Sequence, residues 1–469
     1  MKKVLLVQPN YRLQSVYKSV KGITPPLGLC YIAAVLEQNK ISVKILDANA
    51  LNLTAEDIAK EASNYDIVGV GFMTATHNFS VRVAQLLDKS ILKVAGGPQP
   101  TGVPEEVLRD GFDIVVRGEG EKTMLEIAQD NPHENILGIS YKQDNKIIHN
   151  APRPVMTDNE IDALPMPARH LLPSNGVDMP YKSAGTRRLP WAQIFTTRGC
   201  PYNCYFCHKI FGQNIRFRKP ENVVNEIVYL KEKYGIKEID FYDDSFNFDM
   251  DYANKVMDLI IEKNLKIHIR LSSGIRINHI NPELLQKFKK AGVDWIGYGI
   301  ESGNQEVLNK IPKAITLEQV RNAVRWTKEA GITMNGFMML GLLGDTKETM
   351  QQTIDFAKEL DLDMVAFNML TPYPGSRLWD EVKKNGKLLL NNWDDFHHSS
   401  GKMTFKHPDV APPEVVEDMY RKAYREFYIR PKYILKRVLN IHNFDDFKLM
   451  LKSPRALLYM IKRKPSKID

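Results

Sequence analysis

Cys200, Cys204 and Cys207 stand in the run Thr196-Thr-Arg-Gly-Cys-Pro-Tyr-Asn-Cys-Tyr-Phe-Cys-His208, a CxxxCxxC spacing entered from an apolar stretch. Cysteine thiolates are the usual protein ligands of iron–sulfur clusters, normally four to a cube. Three in one short loop can hold three irons and leave the fourth open to a small molecule. Zinc is a competing occupant, but it asks for four closed ligands, commonly from paired CxxC units. Here Cys30 is far upstream, although His208 is adjacent. A disulfide within the run would leave one thiol unpaired. The cube is the favoured reading, with zinc or a chance grouping as its rivals.

Such a loop needs a rigid edge, and the flanking pattern supplies one. Strands are expected at 192–196, 238–242, 266–271, 295–299, 334–340 and 364–369, with helices at 221–233, 252–263, 282–290, 317–330 and 347–360 between them. These six β–α repeats fall short of the eight of a closed barrel, and chemistry in barrel folds sits on the rim after the strands. The cysteine loop follows the first strand and shares that rim with Asp243-Asp244-Ser245, Ser272-Ser273-Gly274, Glu301-Ser302-Gly303, Gly341-Leu-Leu-Gly344 and Thr371-Pro-Tyr-Pro-Gly375.

Upstream, strands at 4–8, 43–46, 67–71, 92–95 and 114–116 alternate with helices at 29–37, 55–61, 81–87, 105–108 and 121–128. This predicts a parallel sheet with helices on both faces. Ligands bind such sheets outside the carboxyl ends of the strands. A polar hairpin (139–141 with 146–149) and a Pro-rich linker follow. The expected division is residues 1–150, a linker 151–190, the barrel 191–400 and a basic helical region 401–469. At 469 residues, with 43% hydrophobic and 26% charged side chains, the chain is long enough for two or three soluble domains. The opening Met1-Lys-Lys-Val-Leu-Leu-Val has too short an apolar run for a signal peptide or membrane span and reads as a first strand. Four cysteines, three of them clustered, argue against a secreted disulfide scaffold and for a reducing compartment, and a cytoplasmic setting is expected. Between Arg421 and Lys467 there are 14 basic residues against 3 acids, so the net +8 of the chain resides in this tail.

Over nearly its whole length the chain resembles the cobalamin-binding-domain radical S-adenosylmethionine (radical SAM) enzymes. The resemblance rests on the cysteine run, Phe241-Tyr-Asp-Asp-Ser-Phe246, Gly299-Ile-Glu-Ser-Gly303 and Thr371-Pro-Tyr-Pro-Gly375. Upstream it rests on Pro25-Pro-Leu-Gly28, Gly96-Gly-Pro98 and Arg117-Gly-Glu-Gly-Glu121. It implies an α/β architecture: an N-terminal Rossmann-like cobalamin-binding domain, a partial (β/α)6 radical SAM barrel and a C-terminal helical tail. It further implies that Cys200, Cys204 and Cys207 hold a 4Fe–4S cluster. Phe206, Asp243, Asp244, Ser272, Arg276, Glu301 and Ser302 would contact SAM. Asn49, Thr74, Gly96, Gly97, Pro98, Gly118, Glu119 and Gly120 would surround cobalamin. Tyr373 is a candidate for the substrate cavity or for packing. Many cobalamin enzymes present a lower-ligand histidine from Asp-x-His-x-x-Gly. This chain reads Asp47-Ala-Asn-Ala-Leu-Asn52, with Asn49 in place of the histidine. His77 is a conceivable substitute, with a solvated or hydrogen-bonded loop histidine as the plainer reading.

In similar proteins, a low-potential electron donor reduces the cluster and SAM is cleaved to a 5′-deoxyadenosyl radical. That radical takes a hydrogen atom from an unactivated substrate carbon, and in the methyltransferases methylcobalamin then donates a methyl group. C-methylation of a small molecule is therefore the expected activity, with oxidative cyclisation or another lipid or isoprenoid modification as alternatives. An RNA methylthiotransferase needs a second three-cysteine cluster upstream, where only Cys30 is present. A non-catalytic cobalamin carrier or sensor needs no cysteine loop. The basic tail is expected to cap the barrel or to contact an anionic membrane surface, with nucleic acid a weaker candidate.

Overall fold

In the computed structural model the described residues are 2–11, 22–144, 146–173, 181–183, 185–389 and 392–439. The first domain runs β1 (Lys3–Gln8), α1 (Leu27–Gln38), β2 (Ser42–Asp47), α2 (Ala48–Leu51), α3 (Ala55–Ala62), β3 (Ile67–Gly71), α4 (His77–Leu86), β4 (Leu92–Gly96), α5 (Pro98–Gly102), α6 (Pro104–Arg109), β5 (Ile114–Val116) and α7 (Glu121–Ala128). The hairpin β6 (Ile139–Gln143) and β7 (Lys146–His149) follows. The sheet order is β2-β1-β3-β4-β5-β6-β7. β1 to β5 are parallel, and the hairpin joins them antiparallel as the far edge. The central strands are apolar on both sides, as a sheet covered by helices on two faces requires: Val4 to Val7 are buried without interruption. The order reverses between β1 and β3, the switch point where such sheets bind ligands.

The second domain contains α8 (Asp158–Asp162) in the linker, then β8 (Trp191–Ile194) and the short hairpin β9 (Thr197–Arg198) and β10 (Arg216–Phe217). The barrel continues α9 (Pro220–Tyr234), β11 (Glu238–Phe241), α10 (Met250–Glu262), β12 (His268–Ile275), α11 (Pro282–Ala291), β13 (Val293–Glu301), α12 (Gln305–Lys310), α13 (Leu317–Glu329), β14 (Thr333–Leu340), α14 (Lys347–Glu359), β15 (Met364–Met369) and α15 (Arg377–Asn385). Strands β8 and β11 to β15 form one parallel six-stranded sheet in sequence order. Alternation along β14 and β15 separates the faces. Met334, Met338, Leu340, Val365, Phe367 and Met369 are buried under the helices, while Phe337, Met339, Ala366 and Asn368 stay partly open on the inner face.

Several boundaries differ from expectation. Ser272 to Gly274 lie inside β12, which continues past a register shift instead of ending at Leu271. The expected loop after β2 begins as helix α2, because the Asp47 side chain caps it by accepting the Ala50 N–H at 2.9 Å. Likewise α5 opens the expected Gly-Pro loop with Pro98 at its first position. After the strand pair β16 (Lys387–Leu388) and β17 (Phe405–Lys406), the tail begins with α16 (Pro413–Tyr428) and α17 (Pro431–Leu439). α16 is the barrel cap. It buries Val416, Met419, Tyr420, Ala423 and Phe427, and Tyr424 Oη donates to the Phe367 carbonyl of β15 at 3.0 Å. The apolar and basic segments 447–451 and 456–461 lie outside the described residues.

Candidate active site

The cysteine loop spans the turn between β9 and β10, whose register pairs Arg198 with Arg216. Gly199 begins the turn at φ +88, a left-handed conformation that glycine adopts freely. Two tyrosines peg the loop to the barrel. Tyr202 Oη lies 2.9 Å from His279 Nε2, and Tyr205 Oη accepts the Leu343 N–H at 3.1 Å while its carbonyl accepts that of Leu378 at 2.8 Å. The Cys207 thiol donates to Cys204, which holds Cys204 down to about 7 and pushes Cys207 well up. Lys313 and Arg276 add positive potential at Cys204. Three soft sulfur donors backed by two cations fit an anionic iron–sulfur cube.

The residues expected at SAM divide by location. Asp244 accepts the Gly199 N–H at 3.1 Å, and its negative charge is felt at Cys200. Arg276 is buried with its guanidinium 3.5 Å from the Tyr202 ring centre and donates to the Lys313 carbonyl. Glu301, at φ +69, is ion-paired with Lys313, whose ammonium also reaches the Gly299 carbonyl at 2.6 Å. A non-glycine side chain in that region is uncommon and clusters at functional sites. Phe206 is partly buried and meets Tyr205 edge-on at 5.3 Å. Asp243, by contrast, is spent on the scaffold. It accepts the N–H groups of Thr196 (2.6 Å) and Thr197 (2.8 Å) and the Thr196 hydroxyl (2.6 Å). Ser272 donates to Asp240. Ser302 turns toward Thr353 of α14 at 3.2 Å. Tyr373 Oη accepts the backbone N–H of His398 at 3.2 Å and lies within hydrogen-bond distance, 3.0 Å, of His398 Nδ1. Burial holds His398 down to about 4, in its neutral form.

A cleft of about 410 Å³ opens at the switch point of the first domain. Gly71, Gly96, Gly97, Pro98, Gly118, Glu119 and Gly120 line it, together with Leu29 and Ile32 of α1. Phe195, Arg198, Ile210 and Phe211, from the start of the barrel and the cysteine loop, also line it. A Cβ added at Gly28 would meet no heavy atom within 4 Å, and at Gly96 or Gly118 none nearer than 3.9 Å. The missing side chains thus leave free volume for a large planar cofactor, and the donor-poor, apolar lining fits a corrin. Asn49 and Thr74 stand outside this lining. Thr74 donates to Gln99 at 2.7 Å. Asn49 is fully buried in α2, and neither polar atom of its side chain has a hydrogen-bond partner. His77 is neither solvated nor in the cleft. It is buried, with Nε2 3.0 Å from Asp110 and Nδ1 3.3 Å from Gln99.

Sequence reasoning missed Lys313, the tyrosine pegs, His398 and the arginines beside Glu119. Each is paired with a residue remote in the chain, so no local spacing marks it. Arg198, Tyr202, Tyr205 and Glu121 stood inside quoted runs, which marked their positions but not their partners.

Comparison with known proteins agrees with this geometry. The model of the radical SAM superfamily matches residues 194–357, and that of the B12 binding domain matches residues 14–128. The chain is 36% identical over 456 residues to an uncharacterized methyltransferase, PH0819, of Pyrococcus horikoshii, covering 94% of this chain and 96% of that one. It is 27% identical over 499 residues to a cytidylyl-2-hydroxyethylphosphonate methyltransferase of Streptomyces wedmorensis, covering 91% and 90%. Its fold is shared with the radical SAM methyltransferase TsrM of Kitasatospora setae, solved with cobalamin and a [4Fe–4S] cluster bound, at a TM-score of 0.70 and 17% identity over 92% of this chain and 89% of that one. With the cysteine loop and the glycine-edged cleft facing each other, the chain belongs to the cobalamin-binding-domain radical SAM enzymes.

Proposed function

We propose that the protein methylates an unactivated carbon of a small molecule. The observation that carries this reading is the shared wall: Phe195, Ile210 and Phe211 bound the cleft from the barrel side, which supports a reaction carried out between the two domains. When bound, the cluster and cobalamin supply reductive cleavage of SAM and a transferable methyl group. This chain's residues supply orientation and dryness. Arg276 and Lys313 are cations suited to the SAM carboxylate, Asp244 would serve as an acceptor for its amino group, and Glu301 would accept from the ribose hydroxyls. Asp243, Ser272 and Ser302 hold the strand ends on which those contacts stand. Tyr373 and neutral His398 form a hydrogen-bonded edge for the substrate. The aromatic side chains around the loop exclude water that would quench a radical.

The substrate class that fits best is lipid or isoprenoid. Ile434, Leu435, Val438 and Leu439 of α17 are all exposed, beside Lys432 and Lys436, which also pair with Asp361 of the barrel. An apolar and basic helix of this kind binds anionic membrane surfaces, here from the cytoplasmic side. No helix among the described residues is long and apolar enough to cross a membrane. The test is anaerobic reconstitution with cobalamin, SAM and a low-potential reductant, followed by mass spectrometry of cell extract. Methylated product together with 5′-deoxyadenosine is expected. Formation of 5′-deoxyadenosine with no methylated component refutes methyl transfer, and its persistence in Cys204→Ala refutes the cluster assignment. Sedimentation with anionic vesicles at low salt tests the membrane contact.

A further inference from the structure

Arg117-Gly-Glu-Gly-Glu121 reads as a cofactor loop, yet both of its carboxylates are engaged from across the domain boundary. Arg198 donates to Glu119 at 3.0 Å and to Glu121 at 2.7 Å, while Arg216 donates to the other oxygen of Glu119 at 2.8 Å. All four side chains are only 5–6% exposed. The Arg198 guanidinium lies between Tyr31 of α1, 5.1 Å from its ring centre, and Phe211 of the cysteine loop, at 5.2 Å. Glu119 also accepts the Met156 N–H at 2.9 Å.

Two arginines facing each other in register at the base of the cysteine hairpin are thus clamped by two glutamates on the rim of the cobalamin cleft. Arg198, Glu119 and Glu121 line that cleft, and Arg198 is two residues from Cys200. We infer that Arg198 is a positioning residue that ties the cysteine loop to the cobalamin cleft, so that filling either cofactor site favours filling the other. A buried charge network has discrete arrangements, because any slip leaves a charge unpaired at high cost. Coupling of this kind is reciprocal. The inference rests on the cofactor assignment and is independent of methyl transfer.

The test is titration of hydroxocobalamin, read by visible absorbance. It is added to the full chain carrying its iron–sulfur cluster and to the cluster-free Cys200→Ala/Cys204→Ala/Cys207→Ala chain. The cluster-bearing chain is expected to bind about tenfold more tightly, within the usual range of coupling between sites. In Arg198→Met/Glu121→Gln, made in both backgrounds, two opposite charges are removed together and Glu119 keeps Arg216. There the ratio is expected to fall to near one, with iron content unchanged. A ratio of one in the unaltered protein overturns the inference. So does an undiminished ratio in the variant, the result of a purely structural staple, which would weaken binding equally in both states. If the double variant does not fold, Arg198→Lys takes its place, and an undiminished ratio there overturns the inference equally. Loss of methylation with the ratio preserved counts against the proposed reaction alone.

Discussion

Gly199→Ala is the sharpest probe of how the cysteine loop is built. Gly199 has φ +88, and a Cβ there would lie 2.3 Å from the Asn214 carbonyl oxygen and 3.1 Å from that of Phe211. Gly235, which ends α9, has φ +62 but nothing within 4 Å of an added Cβ. Both substitutions incur the backbone cost of a left-handed residue, about 1–2 kcal/mol. Only Gly199→Ala must also push a backbone carbonyl from 2.3 Å to beyond 3.0 Å. Overpacking of that kind costs about 1–3 kcal/mol more. The displaced carbonyl precedes β10, so the cost falls on the hairpin that spaces the three thiols. Gly235→Ala should therefore lower the melting temperature slightly and load about four irons per chain after anaerobic reconstitution. Gly199→Ala should keep its circular dichroism spectrum, lose a larger share of stability and load less than half that iron. Equal iron content and equal melting temperatures in the two variants would refute the reasoning.

Two further outcomes follow from the electrostatics. Burial lowers His397 to about 3 and His398 to about 4, from an ordinary value of 6.5. The unfolded chain then takes up protons first, so the stability these residues contribute is present above pH 6.5 and is lost as the pH falls toward 4 and 3. His397→Gln/His398→Gln should flatten the acid side of the melting profile in that window. Asp240 and Asp243, raised to about 6 by burial, lose their contribution as the pH rises through that value, so the variant difference and not the unaltered profile is the readout. Lys313→Met leaves the buried Glu301 carboxylate unpaired near Cys204 and Cys207. An uncompensated negative charge disfavours adding an electron, so the cluster's midpoint potential should become more negative in a redox titration followed by electron paramagnetic resonance. An unchanged or more positive potential would show that the pair does not act on the cluster.

Candidate ligand residues close together in the chain were legible in the sequence. The cysteine triplet carries its chemistry in its spacing, and the two β–α alternations carry their sheets in their periodicity, because strand and helix patterns are local. The glycine-bearing strand ends were legible for the same reason, and Gly96 to Pro98 and Gly118 to Gly120 do line the cleft. Where side chains make long-range choices, local pattern was silent. Asp243 and Asp244 are adjacent, yet one holds Thr196 and Thr197 while the other reaches Gly199 beside the cluster loop. Glu119 lines the cleft, and only the fold shows that Arg198, 79 residues away, is bonded to it. Local pattern was enough for the kinds of chemistry and the two scaffolds that bear them. Which charges meet came from folding, since a buried carboxylate takes whichever partner the fold brings within about 3 Å, however far away along the chain.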